Sequence, residues 1–417
     1  MSTTAAPDVP EQLIVDFDIY DPTLSMPQDT VQARIAELAD KGPLVWSTAH
    51  GGHWVVTHYD QVHEVLHNPV DFSSYPNALI TAALTGRFLP LEADPPEHTA
   101  YRNVLQPLFN PIRMKALEDE IRREVNELID EFIEAGECEF VSAFAHILPA
   151  RVFLALVGLP IEDAPQLNGW VAAALMGKPG ASEEESNAVR GQAAMEVGGY
   201  FGKLIAERRG QEVTDESDVI SVVVNSKAEL GGETRALTDE ELIQMFFLTL
   251  IAGLHTTQGS LCWGVMHMSK RPEQRQRIVD DPSMLPAAVE EILRIEAAVL
   301  PGRRATKDYE LGGLKVREGD QLLLALCGAN RDASHFDDPA QVSFDRKTNR
   351  HLSFGGGRHR CIGAHLARLE LRVAFEELHR RLPDYEVAGD PMIHPTQTRG
   401  VMALPIRFTP GPREGAA

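Results

Sequence analysis

The sequence predicts a mainly α-helical chain with small β-sheets, arranged around one long buried helix. Three observations predict it. Helical spacing of apolar residues dominates, β-like runs are few and short, and residues 242–269 contain no Asp, Glu, Lys or Arg. Helices and strands do not alternate, which argues against a βαβ architecture.

Helical spacing runs over 60–68, 96–108, 111–135, 186–209, 239–269, 272–280, 285–294 and 363–381. The β-like runs cover 44–47, 53–58, 309–311, 321–326 and 402–408, toward the two ends of the chain. The charge-free stretch is long enough to cross a bilayer. Its middle, however, carries His255, Thr256, Thr257, Gln258 and Ser260, a poor choice for lipid, so it reads as a helix buried inside a soluble protein. Thr238-Asp239-Glu240-Glu241 is a capping box that starts this helix, and Pro272 stops it. That spacing gives about 31 residues and roughly 46 Å.

Across 417 residues, 39 Lys and Arg stand against 61 Asp and Glu, a formal charge of −22. Such an acidic chain disfavours general binding to nucleic acid or anionic membranes. Cys138, Cys262, Cys327 and Cys361 show no paired spacing, as expected in a reducing compartment. The N-terminus lacks a basic segment followed by an apolar one, so a cytoplasmic location is expected. Residues 1–20 read as a flexible N-terminal segment, 21–408 as a single domain, and 409–417 as a tail.

The segment Phe354-Gly355-Gly356-Gly357-Arg358-His359-Arg360-Cys361-Ile362-Gly363 leads into a helical run. Three successive glycines allow positive φ and close approach of the backbone to a flat ligand. A cysteine at the start of a helix gains thiolate character from the helix dipole and exposed N–H groups. A structural glycine turn with an inert cysteine would explain the segment too. So would a zinc site using His359, Cys361 and His365.

Phe354, then Gly357 three positions on, Cys361 four further and Gly363 two further resemble the haem-binding signature of the cytochrome P450 family. Ala252-Gly253-Leu254-His255-Thr256 resembles the family's Ala/Gly-Gly-x-acid-Thr motif, with His255 in the acid's place. Glu291 and Arg294 resemble its Glu-x-x-Arg pair, with Arg346 as third member. The resemblance implies a P450 fold whose central helix lies over haem b, with Cys361 as the axial iron ligand. A thiolate in that position pushes electron density toward O–O cleavage. His98, Arg102, Arg303 and His359 would hold the haem propionates. Thr256 would organise the water that protonates dioxygen, and His255, whose imidazole titrates near neutrality, would relay protons to it.

Motifs cover 94–363, with weaker similarity over 10–407, and the pattern is nearest the soluble camphor-hydroxylating type. The Tyr that anchors substrate in that type is missing from 85–90, where Gly86 stands nearest. Family position places Phe88, Leu248, Ala252, Val299, Leu300, Gln397 and Thr398 around the substrate. That mostly apolar set suits a small or medium hydrophobic molecule, terpenoid or aromatic. The implied activity is monooxygenation with O2. Electrons would come from a separate ferredoxin and its reductase, because no flavin fingerprint or iron–sulfur cysteine cluster is present. Arg102, Arg113, Arg358, Arg360 and Arg368 would form a basic patch for that partner. A peroxygenase and a haem-thiolate sensor without turnover are the competing functions. Thr256 argues against the first, and the unusual His255 motivates the second.

Overall fold

The computed structural model describes residues 9–25, 29–79, 86–178, 181–214, 218–394 and 396–415. Helix Asp239–Ser269 forms the axis of the fold, unbroken over 31 residues. Its capping box is in place: Thr238 Oγ1 accepts from the Glu241 amide at 3.2 Å, and the Thr238 amide donates to Glu241 Oε2 at 2.7 Å. Helices Leu148–Val157, Glu183–Arg208, Leu285–Glu296 and Ala364–Arg381 pack around it. Their apolar faces merge into one core that includes Leu250, Leu254, Leu261 and Trp263 of the axis. No described helix is long and apolar enough to cross a membrane.

A second core lies under a six-stranded sheet. Its strand order is Ile14–Val15, Leu44–Ser47, His53–Val56, Gln321–Leu324, Gly302–Ala305 and Phe72–Ser73. Strands from the first quarter of the chain thus pair with strands some 250 residues later, such as Val55 opposite Leu323. That pairing brings the strand Gly302–Ala305, which carries Arg303, into the same sheet as the strand His53–Val56 that leads into helix Tyr59–His67.

Several expected elements end differently. The run at 402–408 splits into Gly400–Ala403, paired with Met392–His394, and Pro405–Arg407, paired with Glu137–Glu139. Proline has no N–H to continue the first ladder, and Leu404 donates its amide to Glu139 Oε1 at 2.7 Å instead. The run at 321–326 stops at Leu324 and turns into helix Leu326–Ala329. The terminal segments are not loose where they are described. Phe17 and Ile19 are buried, and Ile14–Val15 adds a strand to the sheet. At the other end Glu414 pairs with Arg380, and the Gly415 amide donates to Asp130 Oδ2 at 3.0 Å. Residues 1–8 and 416–417 lie outside the described residues.

One buried ionic cluster ties the axial core to the segment that precedes Cys361. Glu291 and Arg294 are both fully buried and meet bidentately, each N–O distance 2.8 Å. Glu291 also accepts from Arg346 Nε at 3.0 Å, Asn349 Nδ2 at 3.1 Å and the Ser343 amide at 2.9 Å. Arg294 donates onward to the carbonyls of Asn330, Pro339 and Gln341. Every polar group of the pair is therefore satisfied, which is the condition for tolerating buried charge. Asn330 then reaches the loop itself, accepting the Leu352 amide at 2.7 Å and donating to Ser353 Oγ at 2.8 Å. Glu291→Ala leaves a buried guanidinium uncompensated and is expected to cost about 3–5 kcal/mol. Denaturant unfolding measures this, and a loss no larger than that of a surface ion pair would contradict the buried network.

Candidate active site

The Cys361 loop is shaped by its glycines. Gly355 and Gly357 take φ of 68° and 60°, in the left-handed region that disfavours side chains. A Cβ on Gly356 would stand 2.6 Å from His67 Cε1, and one on Gly357 would stand 2.5 Å from the Leu66 carbonyl oxygen. The close approach that demands glycine is thus to helix Tyr59–His67. The loop closes when the Cys361 amide donates to the Phe354 carbonyl at 2.8 Å. Cys361 lies three residues before helix Ala364–Arg381.

Cys361 is exposed as a residue, yet burial raises the pKa of its thiol. Both hold if the sulfur lines a recess walled by protein. The Gly363 backbone and the charges of Arg102, Arg368 and Arg360 act in the opposite direction without reversing it. The helix start alone therefore does not make a thiolate here, contrary to the expectation from sequence. A thiol so placed gives up its proton when a metal ion binds the sulfur.

Beside the sulfur, four basic side chains from three separate segments converge. The rings of His98 and His359 lie 4.0 Å apart between centroids. Burial, reinforced by Arg102, Arg358 and Arg303, depresses His98 to about 4. Burial, with Arg303, His98 and Arg102, holds His359 down at about 2. Arg303 is 3% exposed and pushed down to about 10 by burial, partly countered by Asp94. Asp94 is itself engaged by the Ser74 amide at 2.9 Å, and Ser74 Oγ hydrogen-bonds His359 Nε2 at 3.1 Å. His98 Nδ1 is buried without a partner. Two arginines beside two neutral imidazoles, one with an unpartnered buried nitrogen, fit a ligand bearing carboxylates. A zinc site is not assembled: His359 turns to Ser74, and among the described residues no three His, Cys, Asp or Glu are placed to hold a metal ion.

Leu248, Ala252, Gly253, Thr256 and Ser260 form a partly accessible stripe along the middle of the axial helix. Thr256 Oγ1 donates to the Ala252 carbonyl at 2.8 Å, leaving its lone pairs free to accept. His255 takes another direction. It is 6% exposed, and a Cβ on Gly400 would stand 2.4 Å from its Cε1. Both ring nitrogens are buried without partners. Burial, with His394 and His146, lowers its pKa to about 4, so the ring is neutral.

The expected pocket residues divide. The Phe88 ring lies 6.0 Å from that of Phe247, and Val299 bridges to Thr398. Leu248 and Ala252 belong to the accessible stripe. Leu300 is fully buried and offers no wall to a cavity. Gln397 is a strut: its Oε1 accepts from Tyr20 Oη at 2.7 Å and the Leu79 amide at 2.6 Å, and its Nε2 donates to the Leu300 carbonyl at 2.9 Å. Thr85, beside Gly86, lies outside the described residues. In the basic patch, Arg368 is paired with Glu290 and stacks 4.4 Å over Phe354. It braces the loop instead of facing a partner. Ser74 and Asp94 were not read as site residues from sequence, since neither pattern nor spacing ties them to His359.

Residues 185–405 match the family model described as "Cytochrome P450". The chain is 33% identical over 429 residues to "Methyl-branched lipid omega-hydroxylase" of Mycobacterium tuberculosis (strain ATCC 25618 / H37Rv), covering 97% of each. It is 33% identical to "Cytochrome P450 monooxygenase PikC" of Streptomyces venezuelae over 87% of this chain and 86% of that one. Among solved structures, CYP101J2 matches with a TM-score of 0.84 and 28% identity, covering 97% of this chain and all of the other. CYP101C1 matches with the same TM-score at 30% identity and 97% of this chain.

None of these likenesses sets the titration of His255, which follows from its own burial. The unfolded chain takes up a proton at an ordinary imidazole pKa of 6.5, whereas the folded ring does so only at about 4. Stability is therefore lost as pH falls between those values. His255→Leu is expected to reduce that loss by about 2 kcal/mol at roughly pH 5. Thermal unfolding at a series of pH values checks this, and identical pH slopes in variant and parent would refute it.

Proposed function

The chain belongs to the cytochrome P450 family, whose members bind haem b, and from that we propose a monooxygenase with Cys361 as axial ligand. The observation that carries the residue assignment is an exposed Cys361 whose thiol feels the charge of Arg102, which belongs to an acid-poor cluster with His98, Arg303 and His359. That cluster would hold the two propionates and raise the protonated fraction of both imidazoles as it does so. When bound, the haem supplies the dioxygen chemistry, and the protein supplies ligand, orientation and proton path.

Thr256 has the free lone pairs to accept a hydrogen bond in the recess while its own proton stays on the Ala252 carbonyl. It would hold a water in line for proton delivery. His255 is neutral, with one donor and one acceptor nitrogen unengaged, so it can pass a proton by tautomer exchange without becoming charged. Because its ring turns toward Gly400, such a relay runs round the helix and not directly to Thr256.

The substrate is assigned as a small or medium hydrophobic molecule, terpenoid or aromatic, held by Phe88, Phe247, Leu248, Ala252 and Val299. Leu300 and Gln397 are left out of that wall, because one is sealed in the core and the other is fully bonded. Hydroxylation or oxidative O-dealkylation is the reaction class. Electrons are assigned to a separate acidic ferredoxin, docking near the exposed Arg358 and Arg360.

Terpenoids and simple aromatics that shift the ferric haem from low to high spin identify the substrate. With that substrate, ferredoxin, its reductase and NADPH, product is expected to track electrons consumed. Thr256→Ala is expected to keep consuming NADPH while product falls. Turnover driven better by hydrogen peroxide than by ferredoxin would favour a peroxygenase, and binding without turnover would favour a sensor. His255→Ala with product per electron unchanged would rule out the relay.

A further inference from the structure

Helix Tyr59–His67 ends against the Cys361 loop. At the contact, the Gly357 amide donates to His67 Nε2 at 3.0 Å. His67 Nδ1 lies 2.8 Å from the His63 carbonyl oxygen, a group that can only accept. The two contacts together require the neutral tautomer with its proton on Nδ1. The side chain is solvent-exposed, so no buried route is needed for a proton to reach it.

Gly357 opens the 3₁₀ turn Gly357–His359 and also accepts, through its carbonyl, the Arg360 amide at 3.3 Å. Gly357 thus connects His67, through its amide, to the residue preceding the sulfur, through its carbonyl. We propose that His67 is a positioning residue for the axial cysteine, holding the loop when its imidazole is neutral and releasing it when protonated. The inference rests on Cys361 being the ligand proposed above. Protonation puts N–H opposite N–H, and the loop loses the hydrogen bond from the Gly357 amide to the helix.

The charged and titratable neighbours are few. On the same helix the His63 ring stacks on His67 with centroids 3.9 Å apart. Asp60 lies one turn earlier and pairs with His335, whose ring stacks on Tyr59. Burial first, then His67 and His335, lower the His63 pKa, with Asp60 opposing. From the loop, Arg358 directs its guanidinium toward Thr99 Oγ1 at 3.5 Å, away from the imidazole.

Ferric holoprotein is followed by two readouts over an acid titration. One is hydrogen exchange of segment 354–361, corrected for intrinsic rates; the other is the low-spin electron paramagnetic resonance signal of thiolate ligation. In the parent protein, Gly357 exchange is expected to rise about three- to tenfold on acidification, as one net hydrogen bond is lost. The thiolate signal broadens over the same range. His67→Gln offers a neutral acceptor and is expected to keep protection and signal constant. His67→Ala has no acceptor and is expected to exchange fast at every pH. The same pH response in all three proteins, or none in the parent, would overturn the proposal. A holoprotein lacking the thiolate signal at every pH would instead refute Cys361 as ligand, while the exchange data would still report on His67.

Discussion

The structure depends on fixing, from behind, the backbone that carries Cys361. Cys361 is accessible, yet burial raises the pKa of its thiol. Open water would make such a thiol an indifferent reactive group, and complete burial would make it inert. Holding it between these limits requires a loop that does not move. Gly355 and Gly357 supply the positive φ, Arg368 stacks on Phe354, and Asn330 links Leu352 and Ser353 to the buried Glu291–Arg294 pair. The ionic cluster thus acts at a distance from the chemistry, as a clamp on the segment that delivers the ligand.

Charge is distributed with the same economy. The chain carries a formal −22, but around Cys361 the arginines and histidines prevail. There burial, reinforced by Arg102 and Arg303, keeps His98 and His359 neutral.

How much could be read in advance follows from the range of the interactions. Helix Asp239–Ser269 was legible at both ends, because a capping box and a proline are local signals. The glycines of the Cys361 loop were legible as backbone conformations, but their packing partner was not, since His67 lies 290 residues from Gly357. Gln397 looked like a pocket residue by position. It is a strut because Leu79, 318 residues away, and Tyr20 saturate it. The hairpin Lys227–Leu230 and Glu233–Ala236 carried a readable signal in Gly231-Gly232, both at positive φ, and went unread beside the stronger helical pattern that follows. Local chemistry was visible; the partners that only folding brings together were not.

The most direct measurement is the absorption spectrum of reduced holoprotein under carbon monoxide. Sulfur ligation from Cys361 predicts the long-wavelength Soret band of a thiolate-bound ferrous carbonyl haem, and its loss in Cys361→Ser. A band at the position given by imidazole ligation, or one unchanged by Cys361→Ser, would contradict the account.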